Sequence, residues 1–103
     1  MSLEQKEETP YQYPFQFASK ELILKVWEKA KIMEGYKSSE WRKDMCDKIM
    51  HFNRHGDTNS QYGWEIDHIY PVCIGGSDDL TNLQPLQWQN NRKKGDLPIW
   101  NCD

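Results

Sequence analysis

Apolar side chains recur every three or four residues between Ser19 and Gly35, and this spacing predicts an amphipathic helix. Ser19 is a favourable N-cap because its hydroxyl can accept a hydrogen bond from a free amide of the first turn. Gly35 is a favourable stop, since glycine readily adopts the conformation that ends a helix. A second, shorter helical turn is predicted from residues 38–40, carrying Trp41. The apolar positions of the first helix are Leu22, Ile23, Val26, Trp27, Ala30 and Met33.

The second half of the chain predicts strands followed by a short helix. Residues 48–53 and 62–68 fit strands, and polar turn formers lie between them. Residues 82–86 predict a further strand, and residues 87–94 predict a helix that Gly95 ends. The predicted fold is therefore α+β, with an N-terminal amphipathic helix and a C-terminal β–β–α unit.

Four parts are predicted within one small domain of 103 residues. Residues 1–9 are too polar to fold alone and are interpreted as a disordered or artificially added tail. Residues 10–60 supply an arm, the helix and supporting elements, and the arm at 10–17 is expected to pack its aromatic rings on the domain. Residues 61–97 contain the β–β–α unit, and residues 98–103 form a C-terminal tail.

Charge, cysteine content and hydropathy limit the partners and the cellular compartment that we expect for the protein. The formal net charge of −3 is unusual for a nucleic-acid-binding protein, so such binding has to come from a local basic patch or through a metal ion. Cys46, Cys73 and Cys102 have no paired spacing, and their odd number predicts a cytoplasmic protein in a reducing compartment. No apolar run approaches the ~20 residues that span a bilayer, so no membrane partner is expected.

Four polar residues in the second half have the chemistry of a one-metal phosphodiesterase. Asp67 and Asn91 offer oxygen ligands, which suit Mg²⁺ or Mn²⁺ better than Zn²⁺. His68 is a natural general base, because an unperturbed imidazole titrates near pH ~6.5. Asn82 is expected to fix the imidazole, either through its own amide or by holding the loop. Adjacent strand residues point to opposite faces, so Asp67 and His68 can share a site only if the strand ends or bends there.

The string GWEIDHIYPV, followed by GGSDDLTNLQPLQWQNNRKKGD, resembles an HNH endonuclease domain built on the ββα-metal motif. In that family an Asp-His pair closes the first strand, an Asn opens the second, and a final His or Asn lies on the helix. The resemblance implies that His68 is the general base and that Asn82 supports it. It implies that Asp67 and Asn91 bind a divalent cation, and that the substrate is DNA.

The chain departs from many HNH proteins because it lacks their zinc-binding cysteine pairs. The corresponding downstream positions are Gln87 and Asn90, so no structural zinc is expected and packing must brace the motif. The basic run Arg92, Lys93 and Lys94 is expected to contact substrate phosphates.

The resemblance predicts metal-dependent hydrolysis of DNA phosphodiester bonds, and two other interpretations stay open. A catalytically idle nucleic-acid-binding module is one, although the intact His68 speaks against it. A nuclease subunit or effector that acts only with a partner is the other, and the acidic balance leaves room for it. A homodimer, another protein partner and a nucleic acid other than DNA also stay open.

Five further residues are expected to have structural roles. Glu65 is interpreted as a strand residue on the solvent face, and a supporting role beside the site stays open for it. His51 and His55 are four residues apart, as in a helical metal pair, but the glycine and asparagine around them disfavour a helix. A supporting or substrate-binding role stays open for one of these histidines. Trp64 and Trp88 flank the Asp-His pair and the basic run, and core packing is favoured over base stacking.

Overall fold

The computed structural model describes Phe15 and residues 18–102 of the chain. The tail at 1–9, most of the arm at 10–17 and the last residue lie outside the described residues. The described part forms two α-helices and two small antiparallel sheets, one of three strands and one of two, so the predicted α+β class is confirmed. In chain order the elements are α1 (Lys20–Trp27), β1 (Lys31–Ile32), β2 (Trp41–Lys43), β3 (Ile49–His51), β4 (Trp64–His68), β5 (Leu83–Gln87) and α2 (Trp88–Lys94).

Helix α1 is short. The Ser19 side chain accepts a hydrogen bond from the Leu22 amide at 3.1 Å, which caps the first turn. The Glu28 amide still bonds four residues back, but the Lys29 and Ala30 amides bond three residues back, so the helix tightens and stops. The predicted end at Gly35 is wrong, because the chain leaves this turn as β1 and bonds to β2. Neither helix in the described residues is long and apolar enough to cross a membrane.

Residues 38–40 form a hydrogen-bonded turn, as predicted, but the chain does not continue as a helix, because Trp41 begins strand β2. β2 pairs with β1 on one side and with β3 on the other. Trp41 lies edge-on against the rings of His51, at 4.5 Å between centroids, and Tyr62, at 5.1 Å. These partners are distant in sequence, so tertiary pairing decides the conformation here and local preference does not. β3 falls within the strand predicted at 48–53.

Strands β4 and β5 and helix α2 form the predicted β–β–α unit. β4 and β5 are antiparallel, with His68 opposite Leu83. α2 follows β5 directly, and the Gln87 side chain accepts hydrogen bonds from two amides of its first turn. Gly95 has a φ of 53°, and its amide donates to the Asn91 carbonyl oxygen at 3.0 Å. The helix therefore ends at the predicted glycine.

The hydrophobic core lies between α1, the first sheet and one face of β4. The rings of Trp27 and Trp64 have centroids 5.2 Å apart, and Phe52 packs on both. Trp64 is fully buried, which favours core packing for it over base stacking. Large aromatic side chains give this small domain much apolar area to bury. The buried core residues are Phe15, Val26, Trp27, Met50, Trp64, Ile66 and Leu83.

A buried aspartate joins the two halves of the domain. Asp44 is 1% exposed, and its Oδ1 accepts hydrogen bonds from the amides of Cys46 and Lys48. Its Oδ2 accepts from the Gln87 amide and from the Asn90 side chain, both at 3.0 Å. The resemblance places zinc-binding cysteines of other family members at Gln87 and Asn90. Here a single carboxylate with four donors holds the start of α2 against the turn after β2.

Two of the three cysteines are joined to each other. Cys46 and Cys102 form a disulfide across 56 residues of sequence, with Cα atoms 5.3 Å apart, and Cys73 is free and exposed. The spacing of the cysteines does not reveal this pair, because it forms only when the C-terminal segment folds back onto the turn that Asp44 holds. The odd number of cysteines therefore no longer supports a reducing compartment.

Candidate functional site

A cavity of about 410 Å³ lies where the end of β4 meets α2 and the loop that follows β4. Asp67, His68, Asn91 and Arg92 are among the residues that line it. Asp67 and His68 can share the cavity because β4 ends at His68 and the chain then turns at Pro71. Three of the four residues predicted to carry the chemistry therefore surround one space.

Asp67 is nearly buried, and its carboxylate has partners from two elements. Gln84, directly opposite on β5, donates to Oδ2 at 2.9 Å. The Lys94 ammonium on α2 lies 3.3 Å from the carboxylate. Burial raises the pKa of Asp67, and the Gln84 hydrogen bond and the Lys94 charge partly oppose that rise. The carboxylate is thus held in one orientation at the edge of the cavity.

The His68 imidazole is held on two sides. Its Nε2 lies 2.7 Å from Oδ1 of Asp78 in the loop after β4, and the ring of Phe15 packs on it with centroids 4.7 Å apart. A carboxylate can only accept a hydrogen bond, so in the neutral imidazole the proton belongs on Nε2 and Nδ1 keeps its lone pair. Asp78 is not among the predicted site residues, and its place in a turn-rich loop is the only sequence signal for it.

Asn82 holds the loop that carries Asp78. Its Nδ2 donates to the carbonyl oxygens of Tyr70 at 3.0 Å and Ser77 at 2.8 Å, and its Oδ1 accepts from the Tyr70 amide at 2.9 Å. Its own carbonyl oxygen accepts from the Ile69 amide at 2.8 Å. Of the two predicted ways to fix the imidazole, these bonds favour holding the loop.

Two glycines and one lysine complete the support of this loop. Gly75 has a φ of 106°, which few other residues adopt. A Cβ on Gly76 would lie 1.7 Å from the Tyr70 carbonyl oxygen, so only glycine fits. Lys29, just after α1, donates to the carbonyl oxygens of Leu80, at 2.6 Å, and Leu83. The start of β5 is therefore tied to the N-terminal half.

The last turn of α2 directs its polar residues to different surroundings. Asn91 and Arg92 line the cavity, and Lys93 is exposed. Lys94 is 3% exposed, and its ammonium contacts the Asp67 carboxylate and donates to a β4 carbonyl oxygen at 2.9 Å. This position differs from the predicted phosphate contact, because the Lys94 charge is directed into the domain.

Glu65 is buried, so its predicted position on the solvent face is wrong. It is 0% exposed because α2 covers that face of β4. Its Oε1 accepts hydrogen bonds from Asn91 Nδ2 at 2.8 Å and from the Arg92 guanidinium. Arg92 also lies over the Trp88 ring, 6.0 Å from its centroid. Strand alternation places Glu65 opposite the core, but it does not reveal that a helix covers that side.

A model of the HNH endonuclease family matches residues 45–97, just over half of the chain. The chain belongs to the HNH endonuclease family. This HNH match begins beside Asp44, includes the whole β–β–α unit and contains every predicted site residue, and it confirms the resemblance. No curated protein and no solved structure matches the chain.

HNH endonucleases typically use a divalent metal ion, and the oxygen chemistry at the cavity fits a hard cation. Asp67 on β4 and Asn91 on α2 line the cavity from two elements. Within residues 18–102 and Phe15, no group of three or more His, Cys, Asp or Glu side chains is placed to hold a metal. One carboxylate and one amide would leave most of the coordination of a hard cation to water and substrate oxygens.

Proposed function

We propose that this HNH protein is a metal-dependent endonuclease that hydrolyses DNA phosphodiester bonds. One observation carries the proposal: Asp67, His68 and Asn91 line the same cavity at the junction of β4 and α2. Water activation and charge stabilisation have to act on one phosphate, so their residues must share one space. Membership of a nuclease family supports the same reaction class.

Asp67 and Asn91 are the proposed metal ligands. Mg²⁺ or Mn²⁺ is the best match, because these hard cations prefer oxygen donors. Such a cation, when bound, would stabilise negative charge on the phosphoryl oxygens and on the leaving oxygen. Gln84 and Lys94 keep the Asp67 carboxylate oriented, which reduces the ordering that metal binding would require.

His68 is the proposed general base. Asp78 accepts the hydrogen on Nε2, which leaves Nδ1 to take a proton from water. Asn82 acts through the loop, because its hydrogen bonds to Tyr70 and Ser77 hold the segment that carries Asp78. The activated water attacks phosphorus, and the resemblance implies that the 3′ oxygen leaves, giving 5′-phosphate and 3′-hydroxyl ends.

Arg92 and Lys93 are the proposed contacts to substrate phosphates. Arg92 lines the cavity with 24% of its side chain exposed, and Lys93 is exposed one residue later. Lys94 is buried, so it contributes a fixed positive charge beside Asp67 and does not need to touch phosphate. Because the whole chain carries a charge of −3, affinity for DNA should depend on these few contacts and fall with added salt.

Plasmid nicking tests the proposal. The purified protein is expected to convert supercoiled DNA to open circles with Mg²⁺ or Mn²⁺ and not with a chelator. His68→Ala should slow nicking by roughly 10²–10⁴-fold, the usual contribution of a general base, and Asp67→Ala should abolish the metal-dependent reaction. His51→Ala is the matched control, because His51 lies beside Trp41 in the first sheet and its loss should leave nicking unchanged.

Two results would overturn parts of this proposal. Equal nicking by the wild type and His68→Ala would show that His68 is not the base. DNA retention in a gel shift, without cleavage under any divalent metal, would favour the catalytically idle binding module.

A further inference from the structure

Strand β4 buries a glutamate that the proposed reaction does not use. Glu65 is 0% exposed and faces α2, opposite the core residues Trp64 and Ile66. It is not among the residues that line the cavity. A buried carboxylate is unfavourable unless donors surround it, so the partners of Glu65 indicate its role.

Both hydrogen-bond partners of Glu65 are α2 side chains that line the cavity. Oε1 accepts from Asn91 Nδ2 at 2.8 Å and from the Arg92 guanidinium. Oε2 is buried and has no hydrogen-bond partner among the described residues. The carboxylate is therefore placed to serve two helix side chains, while one of its own oxygens stays unpaired.

A carboxylate fixes the direction of an amide in a way that no neutral residue can. An ionised Glu65 can only accept hydrogen bonds, whereas the Asn91 amide has donors on Nδ2 and acceptors on Oδ1. Nδ2 must therefore face Glu65. Oδ1, on the other branch of the same planar amide, is left to face the cavity.

We propose that Glu65 is a positioning residue that orients Asn91 so that an amide oxygen, and not an amide nitrogen, is offered to the cation. The inference rests on the proposed metal site of Asp67 and Asn91. The added requirement is that Oδ1 of Asn91 faces the cavity. A cation cannot bind to Nδ2, so the reversed amide would remove one of the two protein ligands. Glu65 thus acts on the metal through Asn91, without touching it.

Glu65→Gln is the decisive variant because it keeps the size of the side chain and removes the directional constraint. Glutamine offers both a donor and an acceptor, so either orientation of the Asn91 amide would be satisfied. Glu34→Gln is the matched control, since it removes the same charge from an exposed position away from the cavity.

Two NMR measurements on these proteins separate positioning from charge. The first records the side-chain amide signals of Asn91, and their contacts to residue 65, in metal-free protein. The second follows the backbone amide shifts of Asp67 and His68 during a Mg²⁺ titration. In Glu65→Gln the Asn91 signals should move and their contacts to residue 65 should weaken. The Mg²⁺ midpoint should rise at least about 2-fold, because only molecules with Oδ1 towards the cavity can bind the cation through Asn91. Glu34→Gln should match the wild type in both measurements.

The outcomes distinguish this inference from the proposed function. An unchanged Mg²⁺ midpoint in Glu65→Gln, with nicking intact in the wild type, would overturn the role of Glu65 alone. A raised midpoint with wild-type Asn91 signals would also overturn it, because Glu65 would then act by charge. No Mg²⁺-dependent shift in the wild type, together with no nicking, would overturn the metal site and this inference with it.

Arg92→Met provides a second variant that remains informative if Glu65→Gln folds poorly. It breaks the ion pair of Glu65 with Arg92 but keeps the hydrogen bond to Asn91. The Asn91 amide signals and their contacts to Glu65 should therefore persist. Their loss in Arg92→Met would show that the ion pair, and not the carboxylate itself, holds the amide.

Discussion

The two faces of strand β4 are equally buried and chemically opposite. Trp64 and Ile66 point into the core with at most 1% of their surface exposed, and Glu65 and Asp67 point towards α2 with at most 6% exposed. The first face is held by apolar contact with α1 and the first sheet. The second face is held by hydrogen bonds and ion pairs, because each of its carboxylates meets a basic residue of α2.

This contrast shows which part of the domain is not optimised for stability. A buried ion pair seldom stabilises a fold more than apolar side chains of the same volume would. Stability alone therefore explains Trp64 and Ile66 but does not explain Glu65 and Asp67. The proposed metal site would explain them, because it requires oriented oxygen atoms beside the cavity.

The largest effect on stability is expected when a charge on the polar face loses its partner. Lys94→Met keeps the volume of the side chain but leaves the buried Asp67 carboxylate without its cation. Unfolding free energy should fall by about 3–5 kcal/mol, measured by urea denaturation at neutral pH. Lys93→Met is the matched control, since Lys93 is exposed, and it should change stability by less than about 0.5 kcal/mol. Equal losses in the two variants would show that the Lys94–Asp67 pair is not structural.

Acid should lower the free energy of unfolding through His55. The His55 ring packs on Trp64 at the apolar face of β4, with centroids 4.8 Å apart. Burial lowers the pKa of His55 from 6.5 to about 4, so the folded protein keeps this ring neutral where the unfolded chain protonates it. The resulting stability is complete above about pH 6.5 and is lost as the pH falls towards about 4, with a total on the order of 2–3 kcal/mol.

Unfolding free energies at several pH values between 4 and 7 test the role of His55. His55→Asn should show a shallower decline with acid than the wild type, whatever its stability at pH 7. Parallel pH profiles for the two proteins would contradict a buried neutral imidazole at this position.

The smallest effect on stability is expected when one methylene group is removed from the apolar face of β4. Ile66→Val removes one buried methylene group next to Asp67 and should lower unfolding free energy by about 0.5–1.5 kcal/mol. Ile66 also lines part of the cavity, but valine keeps an aliphatic side chain there and leaves Asp67, His68 and Asn91 unchanged, so nicking per folded molecule should stay close to the wild-type rate. Ile99→Val, at a residue 85% exposed, is the control and should be neutral. A large loss of nicking in Ile66→Val would show that the two faces do not act independently.

The elements that could be predicted from the sequence are those whose structure is decided by nearby residues. The helix that carries Asn91, its end at Gly95 and the two strands before it follow from patterning and turn residues within the same segment. The placement of Asp67 and His68 around one cavity also agrees with the expectation that β4 ends between them and Pro71.

The features that could not be predicted from the sequence are those that depend on a partner far away along the chain. β2 is a strand because Trp41 has His51 and Tyr62 to pack against, although the turn before it predicts a helix that would carry Trp41. The Cys46–Cys102 disulfide depends on a sequence separation of 56 residues, over which the fold brings the chain back to Cys46. Neither relation has a local signature, because side-chain contacts between remote segments leave no periodicity along the chain.

By itself the sequence determined the family and the α+β class, and it supplied the proposed site residues Asp67, His68, Asn82 and Asn91, because these depend on residue type and short-range spacing. Only the tertiary structure decided which surroundings each charge would have. It buried Glu65 beneath α2, directed Lys94 to Asp67 and brought Asp78 to the imidazole. The physical reason is that burial and pairing belong to the contact between elements, and the sequence of a single strand or helix does not specify what will cover it.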